Sequence, residues 1–325
     1  MDEGSIGNEI DSERQETDDG ENPKLPPTTV SKEDQNDAYS SPSSEIHYLQ
    51  LSDFVGYLVE TSQEAIGSRF IVQKLETATI EDRNKVFLEL KPHSLTLMND
   101  KFGSHVIIWF FEHGLDLQRK GLAEELFGHV FRLSIDQHGY RVIQKALELV
   151  DMVQKIKIVR ELDNHVDTCL YDSKANYVIQ KCVEFVPEEH TGVIVFACID
   201  QIVKLAQHTY GTNIIQFVLE HGKPEDRFKI AEKLAENIVE VSLSKFGSKV
   251  IQKCLFYGSH CDRRLILNAI LGSSDRNKSL KTIVKGQFGK FVVLTVLKTS
   301  DGEQRELILS RIKMYRLEKY LSQKD

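Results

Sequence analysis

Seven short segments of this chain open on a small residue and return at a nearly constant interval. They begin at Gly67, Gly103, Gly139, Ala175, Gly211, Gly247 and Gly289, and the successive spacings are 36, 36, 36, 36, 36 and 42 residues. A chain that repeats itself at this period folds as a stack, because one unit buries its apolar face only against the next. The 325 residues are long enough for a sizeable core, and the repeat points to one elongated domain rather than two globular ones.

Within each period the apolar residues fall at helical spacing. Leu122, Leu126, Val130 and Leu133 mark a first run, Ser134 to Gly139 a polar turn, and Tyr140 to Val150 a second run. The alternation recurs at 194–205 with 212–220 and at 228–241 with 248–257, and Gly222 with Pro224 marks an inter-repeat turn. Strand-like alternation is sustained nowhere, so the expected class is all-α. Residues 46–66 and 303–321 lie outside the repeat and are expected to cap its exposed ends. The six additional residues of the last interval are placed in the polar stretch Gly272–Ser279.

Charge separates the first 45 residues from the rest. Of the chain's 49 acidic and 41 basic residues, 13 and 3 lie in 1–45, which leaves 36 and 38 for the remainder. With four of the seven prolines and few apolar residues, that segment is expected to be a disordered acidic tail. The near-neutral remainder argues against indiscriminate attraction to phosphates, yet leaves room for a locally basic surface. Five cysteines at irregular spacing, with no CxxC pair, are expected to be reduced and mostly packed, as in an intracellular protein. The acidic opening residues carry no apolar run, and no stretch of about 18 apolar residues occurs, so neither a secretory signal nor a membrane span is expected.

Counting from the opening small residue as zero, offsets three and four are apolar in every copy, from Phe70-Ile71 to Val292-Val293, and are expected in the core. Offsets one and five share a helix face, with offset two beside them. Offset five is Gln144, Gln180, Gln216 and Gln252 in the central copies and Val72, Ile108 and Leu294 elsewhere. An ordinary solvated face would mix Lys, Glu, Gln and Arg there. Four identical amides suit base recognition instead, since an amide both donates and accepts, while a planar neighbour at offset two can stack on a base. The candidate edge readers are Asn176 with Gln180, Tyr140 with Gln144, Thr212 with Gln216, Ser248 with Gln252, and the lone Ser104 and Ser68. Candidate stackers are Tyr177, Arg141, His105, Arg69 and Phe291, with Asn213 and Lys249 less suited.

The strings Gly139-Tyr-Arg-Val-Ile-Gln-Lys145, Ala175-Asn-Tyr-Val-Ile-Gln-Lys181 and Gly247-Ser-Lys-Val-Ile-Gln-Lys253 strongly resemble Pumilio (PUF) repeats, and Gln216–Asp226 looks like a characteristic family segment. The resemblance spans about 46–325 and implies a Pumilio homology domain: a right-handed crescent-shaped α-solenoid of three-helix repeats. It also implies single-stranded RNA laid antiparallel along the concave face, one base read per repeat by two or three side chains. Such proteins bind messenger 3′ untranslated regions in the cytoplasm and recruit translational repressor or deadenylation factors. Asn176, Tyr177 and Gln180 match the family's uracil-reading triplet, whereas Ser248 with Gln252 resembles an adenine-tolerant pair. Tyr140 is oversized for offset one, Thr212 with Asn213 is non-standard, and Val72, Ile108 and Leu294 cannot hydrogen-bond a base. Seven copies are counted where the family commonly has eight, so specificity is expected to concentrate in copies three to six.

No HExxH motif, paired metal spacing or acid/base pair stands out, so neither catalysis nor a metal or cofactor is expected. Gly286-Gln-Phe-Gly289-Lys290 lacks the spacing of a phosphate loop, and Trp109 is expected to pack. The rival expectation is a protein-binding α-solenoid whose RNA readout has degenerated. A positive strip formed by Arg69, Arg141, Lys249, Lys290, Lys145, Lys181 and Lys253 would favour RNA over that rival.

Overall fold

The computed structural model describes residues 49–272 and 278–321. The acidic tail and the centre of the polar insertion, 273–277, lie outside the described residues. Among the described residues every regular element is a helix, and the elements repeat in threes. A short first helix, a second helix with the small residue in its first turn and a longer third helix make one unit. In repeat three these are Val130–Ile135, Gly139–Leu149 and Met152–Leu162.

The single run read from 122 to 133 is therefore two helices. Asp116–Leu126 closes repeat two, and Val130–Ile135 opens repeat three. Helical periodicity passes through the break unnoticed, but Gly128 takes φ 83°, which ends one helix and starts the next. Gly56, two periods earlier, does the same at φ 92°. At both places a glutamate of the same repeat's third helix closes the unit. Glu89 accepts from the amides of Gly56 and Leu58 at 2.9 and 2.8 Å, and Glu161 accepts from Gly128 and Val130 at 2.8 and 3.3 Å. A carboxylate on exposed helix N–H groups satisfies donors that the helix itself leaves unpaired.

This frame reassigns the two stretches expected as caps. Leu58–Ser62 is the first helix of repeat one, and Gly302–Met314 is the third helix of repeat seven. Only the 3₁₀ turn Leu51–Phe54 and the short helix Glu318–Leu321 lie beyond the repeats among the described residues. Gly222 and Pro224 turn the chain between the second and third helices of repeat five, inside a unit rather than between units. The insertion falls between Leu271 and Ser279, where the third helix of repeat six ends and the first helix of repeat seven begins.

Second helices pack on second helices along the whole series, and third helices pack on third helices from repeat two to repeat six. The result is an all-α solenoid with one face built from second helices. Its core is continuous: the offset-three and offset-four residues of all seven copies are buried, Val142, Ile143, Val178 and Ile179 completely. Each such side chain contributes about 1.5–3 kcal/mol by leaving water. Trp109 is also buried, with the Arg83 guanidinium 5.3 Å from its ring and His113 stacked against it.

The opening small residue is required by the first helix beneath it. A Cβ on Gly139 would lie 2.8 Å from Leu133 Cδ2 and 2.9 Å from the Leu133 carbonyl oxygen, and Gly103 and Gly211 face Leu97 and Leu205 in the same way. Repeat four has Ala175 instead, and the equivalent residue of its first helix is the smaller Cys169. Cys169, Cys182, Cys198 and Cys254 are buried free thiols, and Cys261 is exposed. Burial pushes the thiols of Cys169, Cys198 and Cys254 up to about 12, which leaves them protonated and unreactive.

Candidate nucleic-acid interface

A side chain three residues before the opening small residue sets the entry of the second helix. Asp100, Asp136 and Asp172 each accept, through one carboxylate oxygen, from the two amides that begin the helix, at 2.7–2.8 Å. His208 Nδ1 does this in repeat five at 3.3 and 3.2 Å, and Ser244 Oγ takes one such bond in repeat six. These turns fix where the second helix begins in repeats two to six.

Repeat four gives the most fully connected group. Asn176 is completely buried, and its amide donates to the Asp172 carbonyl at 2.7 Å. Its Oδ1 accepts from Gln180 Nε2 at 3.2 Å and from Asn213 Nδ2, on the next repeat, at 3.1 Å. Gln180 Nε2 also donates to the Asn176 carbonyl at 3.3 Å, so its donors are turned to Asn176 while Oε1 keeps its acceptor capacity. Tyr177 stands half-buried beside them. Burial raises its hydroxyl above the ordinary range, helped by the nearby phenols of Tyr140 and Tyr210. Asn213, a candidate stacker, is thus also a hydrogen-bonding partner of Asn176.

The other copies keep parts of this arrangement. Gln252 Nε2 donates to the Ser248 carbonyl at 3.1 Å, and Gln252 Oε1 accepts from Thr295 of repeat seven at 3.3 Å. Ser68, Ser104, Thr212 and Ser248 are buried, and each hydroxyl donates to the carbonyl three residues before it, so each presents only acceptor capacity outward. Gln144 is buried and Gln216 half-buried. Tyr140 accepts from Arg141 Nε at 3.3 Å, which holds the guanidinium beside the phenol ring. His105 is half-buried, whereas Arg69, Lys249 and Phe291 are exposed, Phe291 with the Lys290 ammonium 5.2 Å from its ring.

Three lysines of the anticipated positive strip are neutralised. Lys145 Nζ lies 2.9 Å from both Glu112 and Glu148, and Lys181 Nζ lies 2.8 Å from Glu148 and 3.1 Å from Glu184. Lys253 pairs with Glu220 at 3.4 Å. The lysine at offset six of one repeat thus meets the glutamate at offset nine of the repeat before, and Phe217 interrupts the ladder in repeat five. The pairing is a consequence of stacking, because 33 residues of sequence separate the partners. These three cations fasten neighbouring second helices together instead of adding to an open strip.

One set of planar residues was missed. The position just before the opening small residue holds Phe102, His138, Tyr210, Phe246 and Phe288, of which Tyr210 is 40% exposed. The same 36-residue register would have found it. Lys101 and Lys245 place their ammonium groups 4.9 and 5.8 Å from the rings of Phe102 and Phe246. Among the described residues no cluster of His, Cys, Asp or Glu is arranged to hold a metal ion, and no helix is long and apolar enough to cross a membrane.

A helical solenoid with amides and planar side chains spaced once per repeat along one face belongs to the class of base-per-repeat nucleic-acid readers. The family model described as "Pumilio-family RNA binding repeat" matches residues 57–91, 93–127, 129–162, 172–196, 201–235 and 237–271. The chain belongs to the Pumilio family. It is 47% identical over 75 residues to Pumilio homolog 1 of Xenopus laevis and 46% identical over 74 residues to mRNA-binding protein puf3 of Schizosaccharomyces pombe. Those stretches are 23% and 22% of this chain, and only 6% and 10% of the two relatives. Among solved structures, a Puf3 RNA binding domain bound to a Cox17 RNA 3′ UTR site matches with a TM-score of 0.60 and 29% identity, over 87% of this chain and 95% of that one. A Puf4 mutant bound to Cox17 RNA matches the fold at a TM-score of 0.72 and 20% identity, over 88% of this chain and 100% of that one.

Proposed function

We propose that the chain is a sequence-preferring single-stranded RNA-binding protein that regulates the translation and stability of messages through their 3′ untranslated regions. The observation that carries this reading is the group at repeat four, where Asn176, Tyr177 and Gln180 form a polar edge beside an aromatic ring. A uracil stacked by Tyr177 would offer its N3–H to Gln180 Oε1. The Puf3 domain with its bound 3′ UTR site supports the choice of ligand. In this reading residues 46–325 are the Pumilio homology domain and 1–45 an acidic tail. The protein acts as a cytoplasmic monomer without catalysis or cofactor, and recruits translational repressor or deadenylation factors.

Base selection is concentrated in repeats three to six, while the terminal repeats supply stacking or backbone contacts. The neutralised lysines lend the protein-only alternative one observation, and a change of specificity separates the two. Replacing Asn176 by Ser gives repeat four the pair found in repeat six. The expected result is a change from uracil to adenine preference at one position of the bound RNA, read by competition binding. An unchanged preference at every position would overturn the assignment.

A further inference from the structure

A cavity of about 280 Å³ opens beside the junction of repeats four and five, on the third helix Glu188–Asp200 and the first helix Val166–Tyr171. Its lining includes Asp163, Asp167 and Asp200 together with Val193, Phe196 and Ala197. It is smaller than the usual small-ligand site, which begins at about 300 Å³, and suits one or two inserted side chains. Phe196 is 70% exposed and Val193 is 46% exposed.

The repeat itself shows that solenoid packing does not require this patch. Phe196 stands where repeats three and five have Arg160 and Glu232, and Val193 stands where they have Lys157 and Lys229. Asp163 and Asp167 lie in the gap between family matches ending at 162 and starting at 172, and Ala197 and Asp200 lie in the gap between 196 and 201. The cavity is therefore built largely from residues that the family pattern does not match.

None of the three carboxylates is in an ion pair among the described residues. Gln201 Nε2 donates to Asp167 Oδ1 at 2.6 Å, and Tyr171 donates its hydroxyl proton to Gln201 Oε1 at 3.1 Å, which fixes the rim. Burial raises the Asp163 carboxyl above its ordinary value, and Arg160 offsets this only in part. Three carboxylates at one mouth repel a polyanion such as RNA and favour a cationic occupant.

We propose that this cavity docks a short segment of a partner protein that carries a lysine or arginine beside a bulky apolar side chain. The cation meets Asp163 and Asp200, and the apolar group covers Phe196 and Val193. The test is to pan a phage-displayed random dodecapeptide library on the full chain, then measure the recovered peptides by fluorescence anisotropy. Recovered peptides should share a basic residue within four positions of a large apolar one. They should bind at least about ten-fold more weakly to Phe196→Ser and to Asp163→Asn/Asp200→Asn, two variants at surface positions whose melting curves should match the parent. Failure to recover such a consensus would overturn the proposal, as would binding that survives both variants. A wild-type dimer in sedimentation velocity that Phe196→Ser dissociates would also overturn it, by assigning the patch to a second copy of the chain.

Discussion

Replacing Lys181 by Met separates a structural lysine from an RNA-contacting one. The side chain is 8% exposed and bridges Glu148 and Glu184, which keep 26% and 35% of their side-chain exposure. Removing one partner of a fully buried ion pair costs about 3–5 kcal/mol. Water reaching the two glutamates recovers part of that, so the expected loss is about 1–3 kcal/mol. The assay is urea unfolding followed by circular dichroism, with salt titrations of RNA binding in parallel. The unfolding midpoint should fall at pH 7, and the salt slope of RNA affinity should be unchanged, because a lysine already paired with carboxylates releases no counterion from phosphate. Lowering the pH should narrow the gap between variant and parent. Burial alone would raise the Glu148 carboxyl, but hydrogen bonds from Lys181 and Lys145 outweigh it and hold the group below its ordinary 4.5. A carboxyl depressed in the folded state stabilises above its unfolded value and loses that contribution as pH falls through the folded one. An unchanged midpoint together with a salt slope reduced by about one would refute the ladder and return Lys181 to the RNA surface.

Tyr177→Ala should weaken binding to a selected RNA by about 5- to 150-fold, the equivalent of about 1–3 kcal/mol per stacked base, measured by anisotropy. Gly139→Ala drives a methyl group against Leu133 and should destabilise by about 1–3 kcal/mol in urea unfolding. Cys169→Leu should destabilise the parent but cost less in an Ala175→Gly background, a coupling that a double-mutant cycle would reveal. Asp136→Ala removes the two bonds that start the second helix of repeat three and should cost about 0.5–2 kcal/mol by the same assay.

The second helices were legible in the sequence because two requirements recur in fixed register: a residue without a large side chain over the first helix, and a Val-Ile-like pair in the core. The three-part division of the repeat was harder to read. Leu122, Leu126, Val130 and Leu133 keep helical spacing across the break at Gly128, and only the positive φ of that glycine reveals the boundary. In later repeats Gln201 and Asn237 occupy the boundary without any glycine signal. The candidate readout residues could be listed from offsets alone, but their partners could not. Asn213 meets Asn176 across 37 residues, and Lys181 meets Glu148 across 33, distances in sequence that become contacts only once neighbouring helices stack. Charge counted by position therefore placed Lys145, Lys181 and Lys253 in a strip from which pairing in space withdraws them.

The central claim is that this face reads RNA bases, and in vitro selection of RNA on the full chain tests it most directly. The account predicts enrichment of a short single-stranded motif with a uracil at the position facing repeat four, and loss of that uracil when Asn176→Ser is used for the selection. Recovery of no motif, with only weak salt-sensitive binding, would contradict it and leave a helical solenoid that binds proteins alone.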